Sequence, residues 1–218
     1  MNIEQLKDEG FTIQQINQLI PLIDSGFDIS YLGPELLNLS LLRFLKKEIN
    51  QFTITQKQLI LHGISKKLNV TFYMKHILSE KQMEMIIMGL EKGLDVSFYA
   101  DPKFNLVQMR EIRNLLEYNK VKNTNLDVSK IAKARYSANQ MYEIKAGLVN
   151  GIDTTLYERP DLDSDQMCLI RIALEKGLDI SIFEKDGYPI EEMRKFLNKP
   201  YKNKFLKLFN GIKRRTKN

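Results

Sequence analysis

"LSEKQMEMIIMGLEKGLDVSFYADPKF", Leu78 to Phe104, has two relatives further along the chain: "YSANQMYEIKAGLVNGIDTTLYERPDL", Tyr136 to Leu162, and "LDSDQMCLIRIALEKGLDISIFEKDGY", Leu162 to Tyr188. Each writes Gln-Met, then a glycine, then an aspartate or its neighbour, then an aromatic residue. The glutamines set the register. Gln56, Gln82 and Gln108 are 26 residues apart, Gln140 follows after 32, and Gln166 and Glu192 again after 26. A fixed period of this size marks one supersecondary unit repeated along the chain. The long step is one period plus the six residues Lys120–Asn125, "KVKNTN". A further glutamine, Gln15, precedes Gln56 by 41 residues, one period plus an apolar stretch read as an extra helix over 34–49.

Three residues before each glutamine stands Thr12, Thr53, Ser79, Asn105, Ser137 or Asp163, with Pro189 in the last slot. The six hydrogen-bonding residues can accept from the free amides of a helix start, and the Gln three residues on can return the bond, which is a capping box. The residue before each cap (Phe11, Phe52, Leu78, Phe104, Tyr136, Leu162, Tyr188) and the residue after each Gln (Ile16, Lys57, Met83, Met109, Met141, Met167, Met193) form the two halves of a hydrophobic staple, broken only at Lys57. The methionines are therefore packing residues, not a methionine-rich binding face.

Apolar residues continue at helical spacing, as in Met83, Ile86 and Leu90. Gly26, Gly93, Gly151 and Gly177 end the helices, with Lys67 where a glycine is expected. Two residues later Asp28, Asn69, Asp95, Asp127, Asp153 and Asp179 are N-caps for a second, shorter helix. Its aromatic residue, Tyr73, Tyr99, Tyr157 or Phe183, is expected to plug between neighbouring units. The fold read from this pattern is all-α: a solenoid of helix–turn–short-helix repeats over residues 1–199, closed by a basic capping helix and tail at 200–218. One unit cannot bury its apolar face alone, whereas a stack can.

The signatures Gln-Met, Gly-Leu and Gly-Leu-Asp-Val-Ser resemble those of short-repeat proteins from Gram-positive bacteria and their mobile elements, over about residues 11–199. The resemblance implies a helical repeat array and no activity or site residues. It also implies a mobile-element setting, in which the chain is an inhibitor of a host factor such as a defence enzyme.

Composition limits the chemistry. The 218 residues are 43% hydrophobic and 28% charged, ordinary for a globular chain. No apolar run reaches the ~20 residues that span a bilayer, and the first residues lack the basic and apolar regions of a secretory signal. The single cysteine, Cys168, allows no disulfide within the chain, and a reducing cytoplasm is the expected compartment. His62 and His76 have no cysteine cluster beside them, and the repeated aspartates are accounted for as caps. No enzyme, metal or cofactor is expected.

Charge is uneven. From Arg194 onward there are ten Lys or Arg and no Asp or Glu, so the first 193 residues, with 23 basic and 27 acidic side chains, net −4. In register, Arg113, Lys145 and Arg171 lie five residues after their Gln and would form a basic row. With Lys120 and Lys122 of the insertion and Lys213, Arg214 and Arg215 of the tail, they are the candidate partner-binding residues. The expected role is a non-enzymatic module presenting an extended surface to a protein. The alternative is a nucleic-acid binder using the basic row and tail. Oligomeric state is open.

Overall fold

The computed structural model describes residues 3–30, 32–183 and 189–198. They form α1 (Ile3–Asp8), α2 (Ile13–Asp24), α3 (Leu39–Glu48), α4 (Ile54–Ser65), α5 (Glu80–Glu91), α6 (Leu106–Lys122), α7 (Ala138–Val149), α8 (Ser164–Glu175) and α9 (Ile190–Asn198), with no strand among the described residues. Short 3₁₀ turns follow α4 to α8 at Val70–Phe72, Val96–Phe98, Val128–Lys130, Thr154–Leu156 and Ser181–Phe183. The chain is all-α. It divides into two compact units, Met1–Asn123 and Thr124–Asn218, with the division inside the six-residue insertion. The predicted capping helix and tail at 200–218 lie outside the described residues.

Each repeat begins as its sequence requires. Thr12, Thr53, Ser79, Asn105, Ser137 and Asp163 are all extended N-caps whose side chains accept from the amide of the Gln three residues on, and every one closes a capping box. The staple residues are buried in every described pair except at Lys57, whose amine instead donates to the carbonyl of Ser25 at 3.1 Å. The helices end alike. After α5, Gly93 adopts φ 62° and donates to Leu90, while Leu94 donates to Gly89. This is a Schellman turn, which needs a left-handed residue. Lys67 takes that conformation after α4, at φ 56°, although it carries a β-carbon.

The second cap also forms. Asp95 Oδ1 accepts from the amide and hydroxyl of Ser97 at 3.1 and 2.6 Å, and Asn69, Asp127 and Asp153 do the same with Thr71, Ser129 and Thr155. Bonds from the Thr155 side chain and backbone hold the Asp153 carboxyl below its usual pKa, and bonds from the backbone and side chain of Ser30 and Ser181 do so for Asp28 and Asp179. These carboxylates are spent on their own turns.

Within the first unit α1 lies on α2, α2 on α3, α4 on α5 and α5 on α6; within the second, α7 lies on α8 and α8 on α9. A bond that the capping box does not require joins successive repeats. The side-chain amide of Gln82 donates to the carbonyl of Phe104 at 2.8 Å, that of Gln56 to Leu78 at 2.7 Å, and that of Gln140 to Leu162 at 2.6 Å. Each acceptor is the residue just before the next N-cap. One glutamine therefore caps its own helix and tethers the start of the next.

One boundary is corrected. The extra helix covers Leu39–Glu48, not 34–49, because the carbonyls of Gly33 and Pro34 accept from Leu36 and Leu37 in a turn and Asn38 then caps α3 by accepting from the Leu41 amide at 2.9 Å. Within the insertion, α6 runs on through Lys122 and ends at left-handed Asn123, so half of the six residues are added helix. Tyr73, Tyr99 and Tyr157 are fully buried, each with its hydroxyl against a glycine of the preceding helix, Gly63, Gly89 or Gly147, and near charged groups of the next one: Glu91, Arg113 with Glu117, or Arg171 with Glu175. Phe183 likewise meets the next helix, its ring 5.0 Å from that of Phe196 on α9.

Candidate functional site

The longer of the two departures from the period builds a groove in the first unit. α3 carries more apolar surface than its core contact uses. Leu42 and Leu45 are fully buried, while Leu41 and Phe44, a turn apart on another face, are not, and Phe44 is 41% exposed. With Leu36 and Ser40 they form one wall of a groove of about 920 Å³. The opposite wall is the C-terminal end of α4 and its 3₁₀ turn, with Ile64, Lys67, Leu68, Asn69, Val70, Thr71, Met74 and Lys75.

Local rules fix both walls. The amide of Gln15 donates to the carbonyls of Pro34 and Leu37, both at 2.9 Å, and so holds the turn that launches α3. The Schellman turn at Lys67 and the Asn69 cap fix the other side. The groove has an apolar floor and a mostly cationic rim: Lys67 and Lys75 against the single carboxylate of Glu35. The Lys75 amine donates to the carbonyl of Ala100 at 2.9 Å, beside Asp101. Its polar lining is Glu35, Asn38, Ser40, Asn69, Thr71 and the two lysines, and among the described residues no group of three or more His, Cys, Asp or Glu is placed to hold a metal ion.

The residues predicted to form a basic row have other engagements. Arg171 on α8 meets Glu143 of α7 at 2.9 Å and its own Glu175 at 2.7 Å, and its side chain is 14% exposed. Burial opposes its charge, but the bonds to Glu143 and Glu175 outweigh that and raise its pKa. Arg113 on α6 points back to α5, where the Met85 sulfur accepts at 2.8 Å, and lies 3.2 Å from Glu117, with 12% of its side chain exposed. Both guanidinium groups thus clamp adjacent helices within their own unit. Lys145 is half-buried, its amine 5.0 Å from the Tyr142 ring centre. Lys120 donates to the carbonyl of Lys92, and Lys122 is exposed on the added turn of α6. Lys213, Arg214 and Arg215 lie outside the described residues. Cys168, close to Arg171 and Glu143, has its thiol pKa pushed up by burial, which disfavours the thiolate.

Comparison with known proteins finds no matching family model, no similar curated protein and no similar solved structure. No helix among the described residues is long and apolar enough to cross a membrane.

Sequence reasoning passed over Leu41, Phe44 and Met74. Two signals mark them: segment 34–49 breaks the period, and α3 writes apolar residues on two faces at once. Lys67 was visible as a missing glycine, but nothing in the sequence placed it opposite α3.

Proposed function

We propose that this chain is a non-enzymatic binding module, in which helical repeats stack solenoid-fashion and present a shaped surface to a protein partner. The groove beside α3 carries the proposal. It is a preformed concavity with an apolar floor and a charged rim, the composition of a recognition surface, and it lies where the repeat is interrupted. The repeats themselves are spent on structure: caps, staples and helix-to-helix clamps absorb the aspartates, methionines and arginines that could otherwise suggest chemistry. A mobile-element setting, with a host factor as the partner, rests on the sequence resemblance alone.

Nucleic-acid binding through the basic row has less support, because Arg113 and Arg171 already face carboxylates. Affinity capture with the intact chain in its native host, followed by mass spectrometry, tests the protein reading; no reproducible partner would count against it. A salt titration with duplex and single-stranded DNA tests the other. Six phosphate contacts would lower duplex affinity by about three orders of magnitude between low and moderate salt, with a log–log slope of roughly −0.9 per contact. The expected result is no such dependence, in the whole chain or in one ending at Lys199.

A further inference from the structure

We propose that the groove between α3 and the end of α4 docks an acidic amphipathic helix of a partner protein. The proposal rests on the binding-module reading and names the site and the chemistry of its ligand.

Three observations lead to it. The first is the surplus apolar face of α3. Leu41 and Phe44 sit one turn apart with Leu68 and Met74 across from them, and the core contacts of α3 are already made by Leu42 and Leu45. An exposed phenylalanine on the wall of a groove is an anchor site, and a helix offering apolar residues at i, i+3 or i+4, and i+7 fits such a trough.

The second is charge. Residues 34–75 contain seven Lys or Arg and two Asp or Glu, a net +5, in a chain whose first 193 residues together net −4. The excess belongs to the two segments that supply the groove walls: Arg43, Lys46 and Lys47 lie on α3, and Lys66 adjoins Lys67, which lines the groove with Lys75. Acidic residues on the outer face of a docked helix would meet this rim, which speeds association and selects against basic partners.

The third is Lys67. It holds a left-handed conformation that the equivalent helix ends of this chain give to Gly26, Gly93, Gly151 and Gly177. A non-glycine residue there is strained by its β-carbon, and here the strained position puts a lysine in the groove lining.

Shape argues against other anionic ligands. A lipid surface cannot follow a concave floor between two helical elements, and a nucleic-acid duplex would leave Leu41, Phe44 and Met74 without apolar contact.

The test is display selection of ~16-residue peptides, about four helical turns, against the immobilised full chain. Fluorescence anisotropy then measures the most enriched peptide, with duplex DNA and phosphatidylglycerol vesicles as parallel probes. Enriched sequences should carry apolar residues at helical spacing and an excess of Asp and Glu. Phe44→Ala should weaken binding by about tenfold or more, as expected of a buried aromatic anchor. Lys67→Gly should weaken it several-fold without lowering the unfolding midpoint, since glycine fits that turn. Basic or neutral consensus sequences, an absence of enrichment, or groove-dependent binding of the DNA or vesicles instead of peptide would overturn the proposal. Peptide binding indifferent to both substitutions would overturn the groove while leaving the binding-module reading standing. Failure of native-host capture would instead strike that broader reading.

Discussion

The hydroxyl oxygen of Tyr99 rests on Gly89 so closely that a β-carbon on that glycine would lie 1.9 Å from it. The hydroxyl donates to the carbonyl of Met85 at 3.4 Å, and burial raises the phenol's pKa far above its usual value. Gly63 and Tyr73, and Gly147 and Tyr157, repeat the arrangement. In the other repeats the same two slots hold Ala173 and Phe183, Leu115 and Ile131, and Leu22 and Leu32, all buried. As the residue on the turn loses its ring or its hydroxyl, the residue on the helix grows. The two slots share one volume.

Glycine-to-alanine changes in helices ordinarily stabilise by up to about 1 kcal/mol. Gly89→Ala should do the reverse, destabilising by about 2 kcal/mol through overpacking. Adding Tyr99→Phe should recover most of the loss, because it recreates the Ala173 and Phe183 combination. Urea unfolding of the two single variants and the double variant gives the coupling energy; a value near zero would refute the shared volume.

Gln82 should not be replaceable by Glu, although either residue completes a capping box. The carboxylate can still accept from the Ser79 amide, but it cannot donate to the Phe104 carbonyl, and two oxygens would face each other. A cost of about 2 kcal/mol at neutral pH is expected. Protonation restores a donor, so the glutamate of this variant titrates higher folded than unfolded. The deficit should therefore be smallest below the unfolded pKa of about 4.3 and grow as pH rises through the folded value. A deficit that does not change between acid and neutral pH would remove the tether from the account.

Lys67→Gly should raise stability by about 0.5 kcal/mol. Relief of left-handed strain is worth about 1 kcal/mol, and the greater chain entropy of glycine in the unfolded state offsets part of it. Thermal melts of the variant beside wild type give the sign directly.

Arg171 and Arg113 occupy the same slot but should respond differently. Arg171→Met leaves Glu143, 11% exposed, without its charge partner, and should cost about 3 kcal/mol. Arg113→Met replaces a contact with the Met85 sulfur by an apolar one and leaves Glu117 still paired with Lys92 at 2.9 Å, so it should cost under about 1.5 kcal/mol. Equal losses in chemical denaturation would contradict the helix-clamp assignment of Arg171.

Acid should weaken the short turns. Asp28, Asp153 and Asp179 are held below their usual pKa by bonds to their turns. Depressed carboxylates contribute stability above the unfolded pKa of about 3.9 and lose it as pH falls through the folded value. Denaturation midpoints should fall from pH 5 toward pH 2.5, and Asp153→Asn, which copies Asn69, should flatten part of that slope. An unchanged slope would mean the cap carries no linkage.

The sequence by itself determined where the repeats start and where most of them stop, because those signals are local. Ser79 and Gln82 close a capping box within one turn, Gly93 needs only its own left-handed φ, and Asp95 reaches no further than Ser97. The repeated aspartates were legible as caps for the same reason. Tertiary structure decided what depends on residues brought together across a longer separation. The amide of Gln82 finds Phe104 at a distance of 22 residues, and Arg171 finds Glu143 at 28, which turns an apparent surface row into a clamp. Tyr99 turns back onto Gly89, ten residues earlier, and its hydroxyl takes the space a β-carbon would fill. The groove is the furthest case. Phe44 and Lys67 are each unremarkable in sequence, and only the folding of α3 against α2, with α4 ending alongside, sets an unburied ring and a strained ammonium on opposite sides of one cavity.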